Sequence, residues 1–368
     1  MKVKKYHKKL SFRKKRGRKV LKTVIFALVV GVLVFVGYSV GGPLLEYLAG
    51  NHKSSSSSHS SADTSGENDR EKDETPSDDT SSDDGRNDTF ENAHTIPADA
   101  VLSELALKNA CEKIKTEGYS GAVIELKDDT GIIKYQSQNE FAERIGAAEP
   151  DALNLDLIAE IIKEQGLKPI AKIYTLKDNT APLNNGGIRN TYTVGSGRWH
   201  DADPGTGGKK WLNPYTADAR TYIADLTKEI ADAGFSAIIF DGLEFPRHLN
   251  QAQLHNDQRL SEAEALSLVI VQAQQLCEIP VFRSFDASEL LPENATSSRY
   301  GGSPLEVEAE NTLLKLDGKV LELDEDAMLE FLSNPDFNGF SITTVDNEAG
   351  QQASEIAKGI GFNTFIYY

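Results

Sequence analysis

Cysteine is nearly absent: only Cys111 and Cys277 occur in 368 residues. Two thiols exclude the dense disulfide framework that staples small secreted folds, although one bridge between them stays open outside the cytoplasm. Both fall in segments of helical apolar spacing, where cysteine behaves as a small hydrophobe, and their spacing gives no metal site. No G-x-G-x-x-G or P-loop run follows a strand-like segment, which removes the usual phosphate cradles and leaves no cofactor implied. No G-x-S-x-G elbow or Cys and His pairing marks another class of nucleophilic hydrolase. Three further absences organise the chain: residues 1–22 hold no acid, residues 23–45 hold no charge, and residues 51–89 hold no Val, Ile, Leu, Met, Phe, Tyr or Trp.

Each of these gaps has a physical reading. The uncharged stretch is long enough, at about 1.5 Å per residue, to cross a hydrocarbon core of roughly 30 Å as a helix. Twelve Lys and Arg precede it in residues 1–22, and this basic flank keeps the amino terminus cytoplasmic and sends the rest of the chain outside. A cleaved signal peptide is the alternative, but the basic region is long and Gly37-Tyr38-Ser39 is a poor cleavage site, so an uncleaved signal-anchor is expected. The apolar-free stretch cannot bury enough area to offset the entropy of ordering it. The expected organisation is a cytoplasmic tail (1–22), a transmembrane helix (23–45), a disordered Ser- and Asp-rich tether (46–93) and one folded extracellular domain (94–368).

The net charge of −17 conceals an asymmetry, since beyond residue 22 there are 27 basic and 56 acidic side chains. Nucleic acid is a poor partner for so acidic a domain, because phosphate neutralisation needs clustered cations. A neutral or cationic partner suits it better.

Within 94–368, apolar runs alternate with amphipathic segments. Val101, Leu105, Ala106, Ala110 and Ile114 predict a helix over 100–117, closed by Gly118. Further helices are predicted over 155–165, 216–233, 261–277, 327–332 and 349–360. Strands are predicted over 121–126, 169–174, 236–240, 280–285, 319–323, 340–344 and 363–367, with an eighth near 90–96. Such alternation implies right-handed βαβ units and a parallel sheet. Eight strands in about 275 residues point to an α/β, (β/α)8 TIM barrel, with an open doubly wound sheet as the alternative.

In a parallel barrel the carboxyl ends of the strands carry the chemistry. Here they lead into Lys127-Asp128-Asp129-Thr130-Gly131, Lys177-Asp178-Asn179, Asp241-Gly242-Leu243-Glu244, and Arg283, Asp286 and Glu289. Two converging carboxyls are the minimum for glycoside hydrolysis, one to protonate the leaving oxygen and one to attack or to activate water. Asp241, Glu244 and Asp128 are the candidate acids, Asp286 and Asp346 further partners. Capping or ion pairing is the competing role for each.

The long loop over 180–215 carries Trp199, Trp211, Tyr192 and Tyr215, rings suited either to stacking on sugar faces or to packing the loop onto the barrel rim. Two polar groups, His200 with Asp201 and Asp203, and His248 with His255, lack the ligand set of a structural zinc or EF-hand site.

The segments Val123-Ile124-Glu125-Leu126-Lys127-Asp128-Asp129-Thr130-Gly131, Trp211-Leu212-Asn213-Pro214-Tyr215 and Phe240-Asp241-Gly242-Leu243-Glu244-Phe245-Pro246 resemble, in order and spacing, a family of bacterial-envelope glycoside hydrolases. That family's hallmarks are V-I-D-x-K-D-D-x-G, W-x-N-P-Y and F-D-Y-I-R-F-P. The resemblance implies a TIM barrel with Asp241 at the end of its fourth strand. It departs at Gly242 and Glu244, where the family has Tyr and Arg, so an anion replaces a cation near the expected pocket.

Together these readings lead us to expect a surface-anchored glycosidase acting on peptidoglycan or another polysaccharide. Lys127, Asp178, Trp199, Trp211, Asn213, Tyr215 and Arg283 are the candidate substrate-binding residues. A catalytically silent carbohydrate-binding or envelope-scaffold barrel is the alternative, and a metal-dependent hydrolase using Asp128, Asp178 and Asp241 is a third.

Overall fold

The computed structural model describes residues 90–183, 191–194, 196–247, 249, 259–291, 294 and 299–368. The chain divides into the units Met1–Ser82 and Asp83–Tyr368, and every described residue belongs to the second. The basic tail, the expected anchor, nearly all of the tether, His248 and His255 lie outside the described residues. Among the described residues no helix is long and apolar enough to cross a membrane.

Eight parallel strands close a barrel: β1 Asn92–Thr95, β2 Gly121–Lys127, β3 Lys168–Tyr174, β4 Ala237–Asp241, β5 Val281–Asp286, β6 Asn311–Leu316, β7 Ser341–Thr344 and β8 Phe365–Tyr367. Closure is made by β1, which pairs Asn92 with Phe365 of β8 on one side and Ala93 with Gly121 of β2 on the other. The closed ring excludes the open-sheet alternative. Asp241 ends the fourth strand, where the family resemblance expects it.

Helices α1 Glu104–Thr116, α2 Leu155–Glu164, α3 Ala217–Asp232, α4 Glu262–Gln274, α5 Glu325–Leu332 and α6 Glu348–Gly359 surround the strands. Their starts follow capping chemistry: the Thr216 side chain accepts from Ala219 N, and Ser261 with Glu264 forms a reciprocal capping box. Between β5 and β6 the described residues form 3-10 turns in place of a helix.

Three expectations are corrected. The helix expected over 100–117 is a 3-10 turn, Ala98–Leu102, followed by α1, because Ser103 turns extended and caps the new helix through Ala106 N. The strand expected over 319–323 lies instead at 311–316. That segment buries Thr312, Leu313, Leu314 and Leu316, whereas of 319–323 only Val320 is buried. The first strand begins at Asn92, two residues inside the stretch assigned to the tether.

The position of the site follows from strand alternation. Ala93, Val123, Ile170, Ile239, Phe282, Leu313 and Ile366, one from each of seven strands, form a core inside the barrel. Side chains two residues further along a strand point the same way, one layer nearer the carboxyl end. That step takes Val123 to Glu125, Ile170 to Lys172, Ile239 to Asp241 and Leu313 to Lys315. An apolar floor is thereby covered by a charged layer.

Candidate active site

The charged layer is organised by two lysines. Lys172 Nζ lies 3.2 Å from Glu125 Oε2 and 3.3 Å from Asp241 Oδ2. Lys315 Nζ lies 3.4 Å from Asp286 Oδ1 and 3.3 Å from Asp317 Oδ2. Burial pulls both ammonium groups down, but Asp241, Tyr174 and Glu125 outweigh it at Lys172, and Asp286 and Asp241 lead the groups that outweigh it at Lys315, so both stay protonated. Tyr174 and Tyr368 add rings under these cations, with Lys172 Nζ 4.9 Å and Lys315 Nζ 5.6 Å from the centroids.

Asp241 is held from behind. Its backbone carbonyl accepts from Thr175 N at 2.9 Å and Thr175 Oγ1 at 3.0 Å, while Oδ1 accepts from Gly242 N at 2.9 Å. Gly242 has φ +59, and a Cβ there would meet Tyr174 Cδ1 at 3.1 Å. Replacement of the family's tyrosine by glycine thus accompanies a left-handed turn that lies against Tyr174.

Glu244 lies on the loop beyond. Both its oxygens accept from Arg299 Nη1, at 2.7 and 2.6 Å, and Oε2 also accepts from Tyr300 OH at 3.2 Å. Burial outweighs the guanidinium and leaves the Glu244 carboxyl above the ordinary range. Arg299 returns beside this position the cation that the sequence had exchanged for an anion.

Other expected residues are drawn into structural work. Asp128 Oδ1 accepts from Thr130 N, Thr130 Oγ1 and Ile132 N, and Oδ2 pairs with Lys134 at 3.1 Å. Burial pushes its pKa up, but these bonds outweigh it and hold the carboxyl below the usual range, the reverse of what a proton donor needs. Lys127 and Asp178 are fully buried, 2.9 Å apart. The lysine also donates to Tyr174 O, and Asp178 Oδ1 accepts from Thr180 N and Ala181 N. Gly131 leaves room for this pair, since a Cβ there would meet Asp178 Oδ1 at 2.1 Å. Asp129 bridges Lys177 and Lys209 at 2.8 and 2.7 Å.

The tryptophans pack the long loop. Trp199 and Trp211 are only 8% and 5% exposed. Tyr192 meets Trp199 edge-on at 6.1 Å, and Tyr215 tilts against Phe245 at 5.4 Å. Trp211 Nε1 donates to Asp201 Oδ2, Lys209 N to Asp201 Oδ1 and Gly205 N to Asp203 Oδ1, which engages two of the three residues considered for a cation. Asn213 Oδ1 accepts from Tyr215 N. Of the two readings of these rings, packing against the barrel rim is the one their burial supports.

Arg283 is 1% exposed and does not face the mouth. Phe282 points into the barrel, so its neighbour must point out. There Arg283 Nη1 donates to Pro304 O at 2.6 Å and the guanidinium lies 4.6 Å from the Phe285 centroid, with burial lowering its pKa to about 10. Asp346, on the turn after β7, pairs with His94 Nε2 at 3.4 Å and accepts from Tyr119 OH.

Residues 95–301, more than half of the chain, match the family model described as "Putative glycosyl hydrolase domain". The chain belongs to this glycosyl hydrolase family. Among solved structures, the glycosyl hydrolase domain is similar to the PgaB (BpsB) glycoside hydrolase domain from Bordetella bronchiseptica, with a TM-score of 0.53 and 14% identity over 76% of this chain and 94% of that one. It is also similar to the catalytic domain of β-amylase from Paenibacillus polymyxa, with a TM-score of 0.50 and 10% identity over 76% of this chain and 92% of that one. At such identities the likeness is one of fold. No curated protein matches the sequence. In this glycosyl hydrolase domain, then, the sequence singled out Asp241 and Asp286 at the mouth but passed over Glu125, Lys172 and Lys315, which one i+2 step from the inner apolar residues would have found, and Asp317, which a second step would have found.

Proposed function

We propose that this chain is a glycoside hydrolase held on the outer side of a membrane by the helix over 23–45, its amino terminus cytoplasmic, acting on peptidoglycan or another polysaccharide. The observation that carries the reading is Asp241, delivered by an apolar fourth strand into a ring of charge where Glu125 and Asp241 share one ammonium. Both oxygens lie on Lys172, at 3.2 and 3.3 Å, so they stand no more than about 6.5 Å apart, an upper limit that admits the separation of roughly 5–5.5 Å between the carboxyls of retaining enzymes. Tyr174 and Tyr368 offer aromatic surface beside them. The acidity of the domain favours a neutral or cationic glycan over an anionic one, and nucleic acid is no partner.

The test is release of reducing sugar from purified cell wall and a glycan panel by the full chain in detergent, beside Asp241→Asn. Release by the parent alone supports the role of Asp241; release by both moves the chemistry to another carboxylate. Because Lys172 occupies the space between Glu125 and Asp241, a carbohydrate-binding barrel without turnover is the second reading. Glycan binding with no product in this assay would favour it.

A further inference from the structure

We infer that Asp317 is the proton donor to the leaving oxygen, acting opposite Asp241. This rests on the glycosidase reading above and adds a residue beyond the matched span, which ends at 301.

The first ground is position. Leu313 belongs to the core inside the barrel, and two steps of the strand alternation carry the inward face through Lys315 to Asp317, directly after β6. The second is freedom from local duty. Aspartates at the heads of turns ordinarily bind backbone N–H groups, as Asp203 and Asp324 do in this chain. Asp317 heads the 3-10 turn Gly318–Val320 and Asp286 heads the turn Ala287–Leu290, yet neither side chain makes a capping bond. Both carboxylates turn instead onto Lys315.

One ammonium therefore serves two carboxylates, whose oxygens lie 3.4 and 3.3 Å from it. Burial and the charge of Asp286 raise the Asp317 carboxyl above its ordinary range against the pull of Lys315. Glu244 is more fully engaged, with both oxygens on Arg299 and one also on Tyr300, while Glu125 shares Lys172 with Asp241 much as Asp317 shares Lys315 with Asp286.

In the reaction the glycosidic C–O bond breaks with its electron pair on the leaving oxygen, which takes the proton of Asp317. A water oxygen bonds to the anomeric carbon, its surplus proton passes to Asp241, and exchange with solvent returns a proton to Asp317.

A leaving group that departs without a proton separates this role from a structural one. The full chain in detergent is assayed on phenyl and 2,4-dinitrophenyl glycosides of glucose, galactose, N-acetylglucosamine and glucosamine. For Asp317→Asn, kcat/KM on the phenyl glycoside should fall by about a hundredfold or more, and on the dinitrophenyl glycoside by less than about tenfold, with the alkaline limb of the pH profile lost. Asp317→Glu should recover part of the phenyl activity, which guards against a folding defect in the first variant. Equal losses on both substrates in a folded variant, or no loss on either, would overturn the assignment while leaving the glycosidase reading intact. A parent that turns over neither these aryl glycosides nor the cell wall and glycan panel overturns that reading, and the role of Asp317 falls with it.

Discussion

Lys172 and Asp241 meet at 3.3 Å between neighbouring strands at the barrel mouth, with Glu125 of the strand on the other side on the same ammonium at 3.2 Å. The pairing keeps two carboxylates close that would otherwise repel.

Removing that cation should be felt in turnover before it is felt in the fold. In Lys172→Met, Glu125 and Asp241 face each other as like charges without their shared ammonium, and the arrangement of the pair is lost. kcat/KM should fall by about tenfold or more in a variant that still melts cooperatively. Unchanged kcat/KM would detach Lys172 from the arrangement that governs turnover.

The Lys127 and Asp178 pair should behave as a structural clamp. Both side chains are fully buried and tie the end of β2 to the turn after β3. Lys127→Met leaves a buried carboxylate without its cation, a loss of about 3–5 kcal/mol. Chemical denaturation should register it. A loss below about 1 kcal/mol would show that the backbone donors to Asp178 suffice alone.

Asp128 should reveal itself in acid stability more than in activity. Its folded carboxyl lies below the ordinary range because bonds from Thr130, Ile132 and Lys134 outweigh burial. A group lowered on folding stabilises above its unfolded pKa, near pH 4, and that contribution is lost as pH falls through the folded value. Asp128→Asn should therefore melt lower than the parent at pH 6, with the gap closing as pH drops below about 4. A gap that widens in acid would contradict this account.

Glu244 has the opposite sign. Burial raises its folded carboxyl despite Arg299, so its linkage favours the folded state below the unfolded pKa and loses that advantage as pH rises through the folded one. Arg299→Leu removes the opposing cation and raises the group further. The melting-temperature deficit of Arg299→Leu should grow between pH 4 and pH 7. A constant deficit would assign the effect of Arg299 to packing and to Glu289.

Long periodic elements were legible in the sequence because burial and local preference agree there. Thr216 and Ser261 sit at the helix starts their chemistry demands, and Gly118 and Gly166, at φ +92 and +75, follow helix ends as expected. The strand at 311–316 was hidden because 319–323 alternates comparably, and only tertiary burial chooses between them. The site was half legible for a similar reason. Acids following an apolar run stand out, but whether Asp128 caps a turn while Asp317 does not depends on backbone angles beyond the reach of composition. Arg283 was misdirected because its inward or outward sense is set by Phe282, one residue away.

The amino-terminal edge of the barrel gives the sharpest structural prediction. Composition placed the end of the tether at residue 93, since the apolar content of 90–96 is low and the strand there has only four residues. Yet Phe90 is 4% exposed, its ring 6.0 Å from Phe282 inside the barrel, and Glu91 O accepts from Phe365 N. Asn92 and Ala93 complete the pairing that joins β8 to β2. A chain beginning at residue 94 loses a buried phenyl ring, which costs about 3–5 kcal/mol, and opens a closed sheet at two strand edges, an invitation to aggregation. A chain beginning at residue 86 keeps all of these contacts. The longer chain should melt cooperatively as a monomer, and the shorter should melt well below it or aggregate on light scattering. Equal melting of the two would mean that the barrel closes without its first strand.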